Sequence, residues 1–205
     1  MTTIINTNKI NNVIFFNPRN IKDNEYKKRK CEILMDESDL EVYPKEETTE
    51  KQRQIDFKKF RNELYKEIRS TKKFCEGLQA SFVKDSLSTC DFVLRVESSQ
   101  TRSKKINGFA TLKILKSSKS LYVDVICTNT DIKGTGTYMV NLLSKICKLA
   151  GLESIKLSAT ESAVPFYLKT HFECDPLCKM KKEISGGSKT RKNRITNKST
   201  TRRSH

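Results

Sequence analysis

The chain has 205 residues, with 40 Lys or Arg against 24 Asp or Glu, for a formal net charge of +16. That length accommodates one ordinary domain with its own core plus tails and leaves little room for a second. The charge draws polyanions, and with no apolar run long enough for a signal peptide or a membrane span, no membrane association is expected.

In chain order, residues 1–54 form an extension of mixed character. Stretches 10–18 (INNVIFFNP) and 31–35 (CEILM) suit short strands, whereas 20–30 and 36–54 are charged, poor in core residues and read as loop or partial disorder. Across 55–78 the apolar residues Ile55, Phe57, Phe60, Leu64, Tyr65, Ile68 and Phe74 recur mostly every three or four positions. That spacing predicts an amphipathic helix, and a second helix is expected over 76–87. From residue 91 the period changes. Segments 91–97, 107–116 and 120–128 are short, rich in β-branched and aromatic residues and separated by turn residues, which predicts three antiparallel strands.

A helix then runs from a two-glycine loop to Gly151, which sits just past the periodic pattern and suits a C-cap. Residues 153–160 read as a strand, 162–171 as a short helix and 172–184 as a final extended segment. The order predicts an α/β (α+β) fold, a mixed and mostly antiparallel central sheet flanked by helices. The expected division is an extension over 1–54, a single domain over 55–184 and a basic tail over 185–205. Seven Lys or Arg and no acid fall within 186–205, where Ile195 is the one large aliphatic residue. Such a segment buries too little apolar surface to offset its ordering entropy, so disorder is expected.

The seven cysteines form an odd set without secretory spacing, which points to a reducing, intracellular and cytoplasmic setting. Cys174 and Cys178 make one C-x3-C near His171, but no second ligand pair at zinc spacing accompanies them, so no metal is expected.

The loop DIKGTG at 131–136 carries the first chemical question. A P-loop needs a lysine after its last glycine, yet Lys133 precedes Gly134, and Thr137 directly follows Gly136. A dinucleotide fingerprint needs a third glycine where Met139 stands. What remains is strand, glycine loop, helix: either backbone N–H groups at a positive helix end suited to a pyrophosphate, or a tight strand-to-helix turn.

The block from about Asn107 to Phe172 resembles the GNAT superfamily, the acetyl-CoA-dependent N-acetyltransferases. That family's Gln/Arg-x-x-Gly-x-Gly/Ala motif is matched at Gly134 and Gly136, with Asp131 replacing the usual Gln or Arg and Lys133 beside the loop. The resemblance implies that the backbone amides of Ile132, Lys133, Gly134, Thr135, Gly136, Thr137 and Tyr138 hold the coenzyme A pyrophosphate. Downstream, LSATESAVPFYLKTHFE is similar to the family's strand-helix pattern. Thr160 stands at the Asn position, Ala163 at the Ala, Phe166 and Tyr167 at the aromatic pair, Lys169 at the basic residue, and His171-Phe172 replace Gly-Phe. Gly108-Phe109 is similar to the third strand. By the same resemblance Tyr167 is the general acid for the departing thiolate, and the strand near Ile126 and Thr128 pairs with the pantetheine arm. A plain core aromatic is the other reading of Tyr167.

Transfer from a thioester to an amine needs a base, an oxyanion stabiliser and an acid. Alternation over 120–128 puts Ser120, Tyr122, Asp124 and Ile126 on one face, and Asp124 is the acid among them. It is either the base or a solvated carboxylate; Glu97, Glu161 and water are the alternatives. The expectation is therefore an N-acetyltransferase moving the acetyl group of acetyl-CoA to a primary amine, on a small molecule, a lysine or an N-terminus, by direct attack in a ternary complex. The competing expectation is a catalytically degenerate scaffold whose tail, 186–205, holds nucleic acid or another polyanion through phosphate contacts. The richness in Asn, Lys and Ile and the ending GGSKTRKNR are similar to proteins of large cytoplasmic DNA viruses, which adds virion or nucleus to the expected locations.

Overall fold

A computed structural model describes residues 10–16, 40–43, 48–70, 74–75, 77–98, 105–175 and 179–184. Helix α1 spans Glu50–Ser70, starting five residues before the expected stripe. Thr49 caps it: its Oγ1 accepts from the Gln52 N–H at 3.2 Å and its carbonyl from the Arg53 N–H at 2.9 Å. Arg53, Phe57, Phe60, Leu64 and Ile68 form the buried stripe, each large apolar side chain contributing roughly 1.5–3 kcal/mol over exposure. Ile55 lies off that stripe and is exposed. Helix α2 spans Ala80–Thr89. It starts later than expected because Gly77, at φ 87°, adopts a left-handed backbone that a right-handed helix cannot contain.

The strands are β1 (Ile10–Phe16), β2 (Leu40–Tyr43), β3 (Phe92–Ser98), β4 (Lys105–Leu115), β5 (Ser120–Thr128), β6 (Ser154–Ser158), β7 (Glu173–Cys174) and β8 (Lys179–Glu183). They form one sheet in the order β2-β1-β3-β4-β5-β6-β8-β7. Among the described residues only β1–β2 and β5–β6 are parallel, so the fold is mixed α/β with a mostly antiparallel sheet flanked by helices. Two differences from expectation stand out. Within 36–54, read as loop, Leu40–Tyr43 is a strand that extends the sheet through β1, and residues from Glu50 are helical. The final extended segment is two paired strands, β7 and β8. The strand expected over 31–35, the loop reading of 20–30 and the tail over 185–205 lie outside the described residues.

Helix α3, Thr135–Leu149, connects β5 to the parallel β6. Gly151, at φ 66°, ends it: the Leu152 N–H donates to Cys147 O and the Gly151 N–H to Lys148 O, the paired bonds of a Schellman motif. Helix α4, Val164–Lys169, follows a short 3-10 turn over Glu161–Ala163 and closes the same way, with His171 at φ 66° in the glycine position. One apolar layer joins α3 and α4 to the sheet through Leu121, Val123, Met139, Leu143, Ile155 and Tyr167. The other joins α1 and α2 through Phe57, Leu64, Val83, Phe109, Val125 and Cys127.

Candidate active site

The site begins where two parallel strands part. Strand β5 pairs with β6 only from Ser120–Val123 against Ser154–Leu157. Beyond that a cleft of about 740 Å³ opens, with Asp124, Ile126 and Thr128 of β5 on one side and Ser158, Thr160 and Tyr167 on the other. That volume lies within the range of small-molecule sites, at the carboxyl ends of parallel strands where open α/β sheets bind ligands. Cys75, Leu78 and Phe82, from the α1–α2 connection and the first turn of α2, also line it.

The glycine loop joins β5 to α3. Gly134 is the N-cap residue, at φ 88° and ψ −14°, a conformation that suits glycine. The first intrahelical bond runs from the Tyr138 N–H to Gly134 O at 3.0 Å, so the amides of Thr135, Gly136 and Thr137 precede it, the donors that every helix start leaves over. Among the seven amides expected at a pyrophosphate, that of Tyr138 is thus used within the helix, and that of Ile132 donates to Asn129 O at 3.1 Å. The Asp131 N–H donates to Asn129 Oδ1 at 3.0 Å, which folds the turn that aims the loop. The side chain of Thr135 is buried, its hydroxyl donating to Ile132 O, whereas Lys133 and Thr137 are exposed. Gly108 of β4 lies beneath: a Cβ there would stand 2.5 Å from Met139 Sδ and 3.2 Å from Thr135 Cγ2.

Tyr167 is 5% exposed, its ring edge-on to Phe166 at 5.1 Å and to Phe172 at 5.3 Å between centroids. Burial pushes the phenol up to about 12, so the hydroxyl keeps its proton throughout the neutral range.

Asp124 occupies a β-bulge. The β4–β5 register steps from Thr111 opposite Val125 to Leu112 opposite Val123, leaving Asp124 without an opposed residue. The consequence is a change of face. Leu121 and Val123 pack with α3, whereas Val125 and Cys127 pack with α1 and α2. The single face expected for Ser120, Tyr122, Asp124 and Ile126 is therefore broken at Asp124, and Ile126 packs on the α3 side. The bulge turns the Asp124 carboxylate toward α2, where the Ser86 hydroxyl donates to its Oδ2 at 2.6 Å; Lys113 Nζ lies 3.7 Å from the same oxygen.

Of the alternative bases, Glu97 is buried and ion-paired with Arg95 at 2.6 Å, and Glu161 is exposed on the 3-10 turn. Neither is among the described residues that line the cleft. Thr160 caps that turn, its carbonyl accepting from the Ala163 and Val164 N–H groups. Two features carried no readable signal in the sequence. Cys75 and Cys127, 52 residues apart, form a disulfide that ties the α1–α2 connection to β5. Ser86 is an ordinary helix serine until β4 and β5 are placed against it. Cys174 is exposed, and Cys178 lies outside the described residues.

No protein-family profile and no curated protein matches the chain. Among solved structures it is similar to nourseothricin acetyltransferase, at 13% identity and a TM-score of 0.38, covering 45% of this chain and 65% of that one. It is similar to Tetrahymena GCN5, at 14% identity and 0.47, covering 62% and 88%. A third is N-acetylglutamate synthase from Neisseria gonorrhoeae in complex with coenzyme A and N-acetyl-glutamate, at 10% identity and 0.44, covering 61% and 33%. The chain spans just under two thirds of the first and a third of the last.

Proposed function

We propose that this chain is a GNAT-type N-acetyltransferase that moves the acetyl group of acetyl-CoA to a primary amine bound in the same cleft. The observation that carries the reading is a cleft at the parted end of β5 and β6 lined by a carboxylate, Asp124, and a protonated buried tyrosine, Tyr167, on a strand that runs directly into the glycine-capped start of α3. The residues present fit the substrate. The first-turn amides of α3 offer N–H groups to a pyrophosphate, Gly134 supplies the left-handed cap, and the parted edge of β5 at Ile126 and Thr128 suits the amide-bearing pantetheine arm. Asp131 places a negative charge beside that anion and Lys133 a positive one, which together leave the loop near neutral.

Acetyl-CoA, as substrate, supplies the thioester carbon to which the amine nitrogen bonds and the sulfur whose bond to that carbon breaks. Asp124 removes a proton from the acceptor ammonium, so that a neutral lone pair is available for attack. Tyr167 donates a hydrogen bond toward the departing sulfur. Full transfer from a phenol at about 12 to a thiolate whose acid form lies near ~8.5 is uphill by roughly 5 kcal/mol. The main contribution of Tyr167 is therefore the hydrogen bond to developing charge, with the proton following as the sulfur leaves and water restoring the phenol. The nitrogen gives up two protons, one from the ammonium through Asp124 to solvent and one as the tetrahedral adduct collapses, and the sulfur takes up one, so amide formation releases one proton overall.

The test is an amine-dependent assay of thiol release from acetyl-CoA with a panel of small primary amines and lysine- or N-terminus-bearing peptides. Thiol release that needs both an amine and Tyr167 supports the reading; none with any acceptor, at saturating acetyl-CoA, contradicts it.

A further inference from the structure

The carboxylate proposed as base is not held by its own strand. Ser86, on α2, is 2% exposed and lies 38 residues away in sequence, yet its hydroxyl reaches Asp124 Oδ2 at 2.6 Å. A second hydroxyl stands behind it: Thr111 Oγ1 of β4, fully buried, is 2.6 Å from Ser86 Oγ and accepts from the Val125 N–H at 3.0 Å. Hydrogen accounting fixes the polarity. A serine has one hydrogen to give, and an ionised carboxylate can only accept, so Ser86 donates to Asp124. Thr111 must then donate to Ser86, and its oxygen is left to take the Val125 N–H. The result is a one-way chain, Val125 N–H to Thr111 to Ser86 to Asp124. It starts at the residue directly after the bulge and ends on the carboxylate that the bulge displaces.

We infer that Ser86 is a positioning residue for Asp124, locking Oδ2 through the Thr111–Ser86 hydroxyl chain so that Oδ1 is the oxygen offered to the acceptor ammonium. The inference rests on the reading of Asp124 as base. Both partners seen on the carboxylate, Ser86 and Lys113, sit at Oδ2. A bulge residue lacks the cross-strand neighbour that steadies an ordinary strand side chain, so a hold from the facing helix supplies what the sheet does not. The charged and titratable groups near Asp124 are Lys113 on β4, Tyr122 on its own strand and, at the end of α2, Cys90, a thiol that burial keeps neutral.

The experiment compares pH profiles of kcat/KM for wild type, Ser86→Ala, Ser86→Thr, Ser86→Val and Asp124→Asn, with acetyl-CoA affinity as the control for folding. Ser86→Ala should lower kcat/KM about ten- to a hundredfold across the profile, with acetyl-CoA affinity kept. Thr and Val differ only by hydroxyl for methyl, so any crowding is common to both; Thr should restore the wild-type kcat/KM and Val should not. Wild-type profiles in Ser86→Ala and Ser86→Val alongside an inactive Asp124→Asn would overturn the positioning role and leave the base standing. A fully active Asp124→Asn would overturn both.

Discussion

Gly136 and Phe166 lie close against each other where α3 meets α4: a Cβ built on Gly136 would stand 3.1 Å from Phe166 Cζ, closer than side chains ordinarily pack. The contact joins the glycine loop of α3 to the aromatic pair of α4, because the Phe166 ring lies edge-on to Tyr167 at 5.1 Å. Gly136→Ala should therefore act at two places. Pushing Phe166 by a few tenths of an ångström should displace Tyr167, lowering kcat by about tenfold as well as weakening acetyl-CoA binding. Steady-state kinetics would read both, and a change in KM alone would show the two elements to be uncoupled.

Tyr167→Phe removes a hydroxyl and keeps the ring that packs against Phe166 and Phe172. Turnover should fall by about a hundredfold or more, with acetyl-CoA affinity within a few fold of wild type. Equal turnover in the two proteins would remove the assignment.

Three buried acids should make the fold sensitive to alkali. Burial raises the thiols of Cys90 and Cys147 from 9.0 to about 12 and the phenol of Tyr167 from 10.0 to about 12. Each is neutral when protonated, and the folded state holds that proton to higher pH than the unfolded chain. Their contribution is thus intact below about pH 9 and is lost as pH rises from there toward 12. Urea unfolding between pH 7 and 11 should show this decline beginning near pH 9, and Cys147→Ala should reduce its slope by about one proton. An unchanged slope in that variant would mean that Cys147 ionises as freely folded as unfolded.

His171 holds the left-handed position that closes α4, where its N–H donates to Leu168 O and the Phe172 N–H to Tyr167 O. Glycine takes that conformation without the steric cost of a Cβ. His171→Gly should raise stability by about 1 kcal/mol, read as an upward shift in Tm, with kcat unaltered. A lower Tm would mean that the imidazole makes contacts worth more than the backbone relief.

Much of this architecture was legible because its signals are local. Phe57, Phe60, Leu64 and Ile68 announce a helix by spacing, Ser120–Thr128 a strand by its β-branched run, and Gly151 a helix end by position. Asp124 and Tyr167 could likewise be picked out from pattern and resemblance, and they line one cleft. What could not be read depends on pairing. Alternation presumes an unbroken register, so the skip opposite Thr111 and Leu112, which sends Val123 and Val125 to opposite layers, left no mark on the sequence. Leu40–Tyr43 is four residues among charges, too short to show a period, and is a strand because β1 offers it an edge. Ser86 and the Cys75–Cys127 bond gain meaning only from partners 38 and 52 residues away.

Isothermal titration of acetyl-CoA into the full chain and its Gly134→Glu variant, at about 0.3 M salt to screen diffuse attraction to its many cations, tests the central claim most directly. The cofactor reading predicts saturable one-to-one binding in the micromolar range that is abolished in Gly134→Glu, where a side chain and a negative charge replace the left-handed glycine. No saturable binding, or equal binding by the variant, would contradict it.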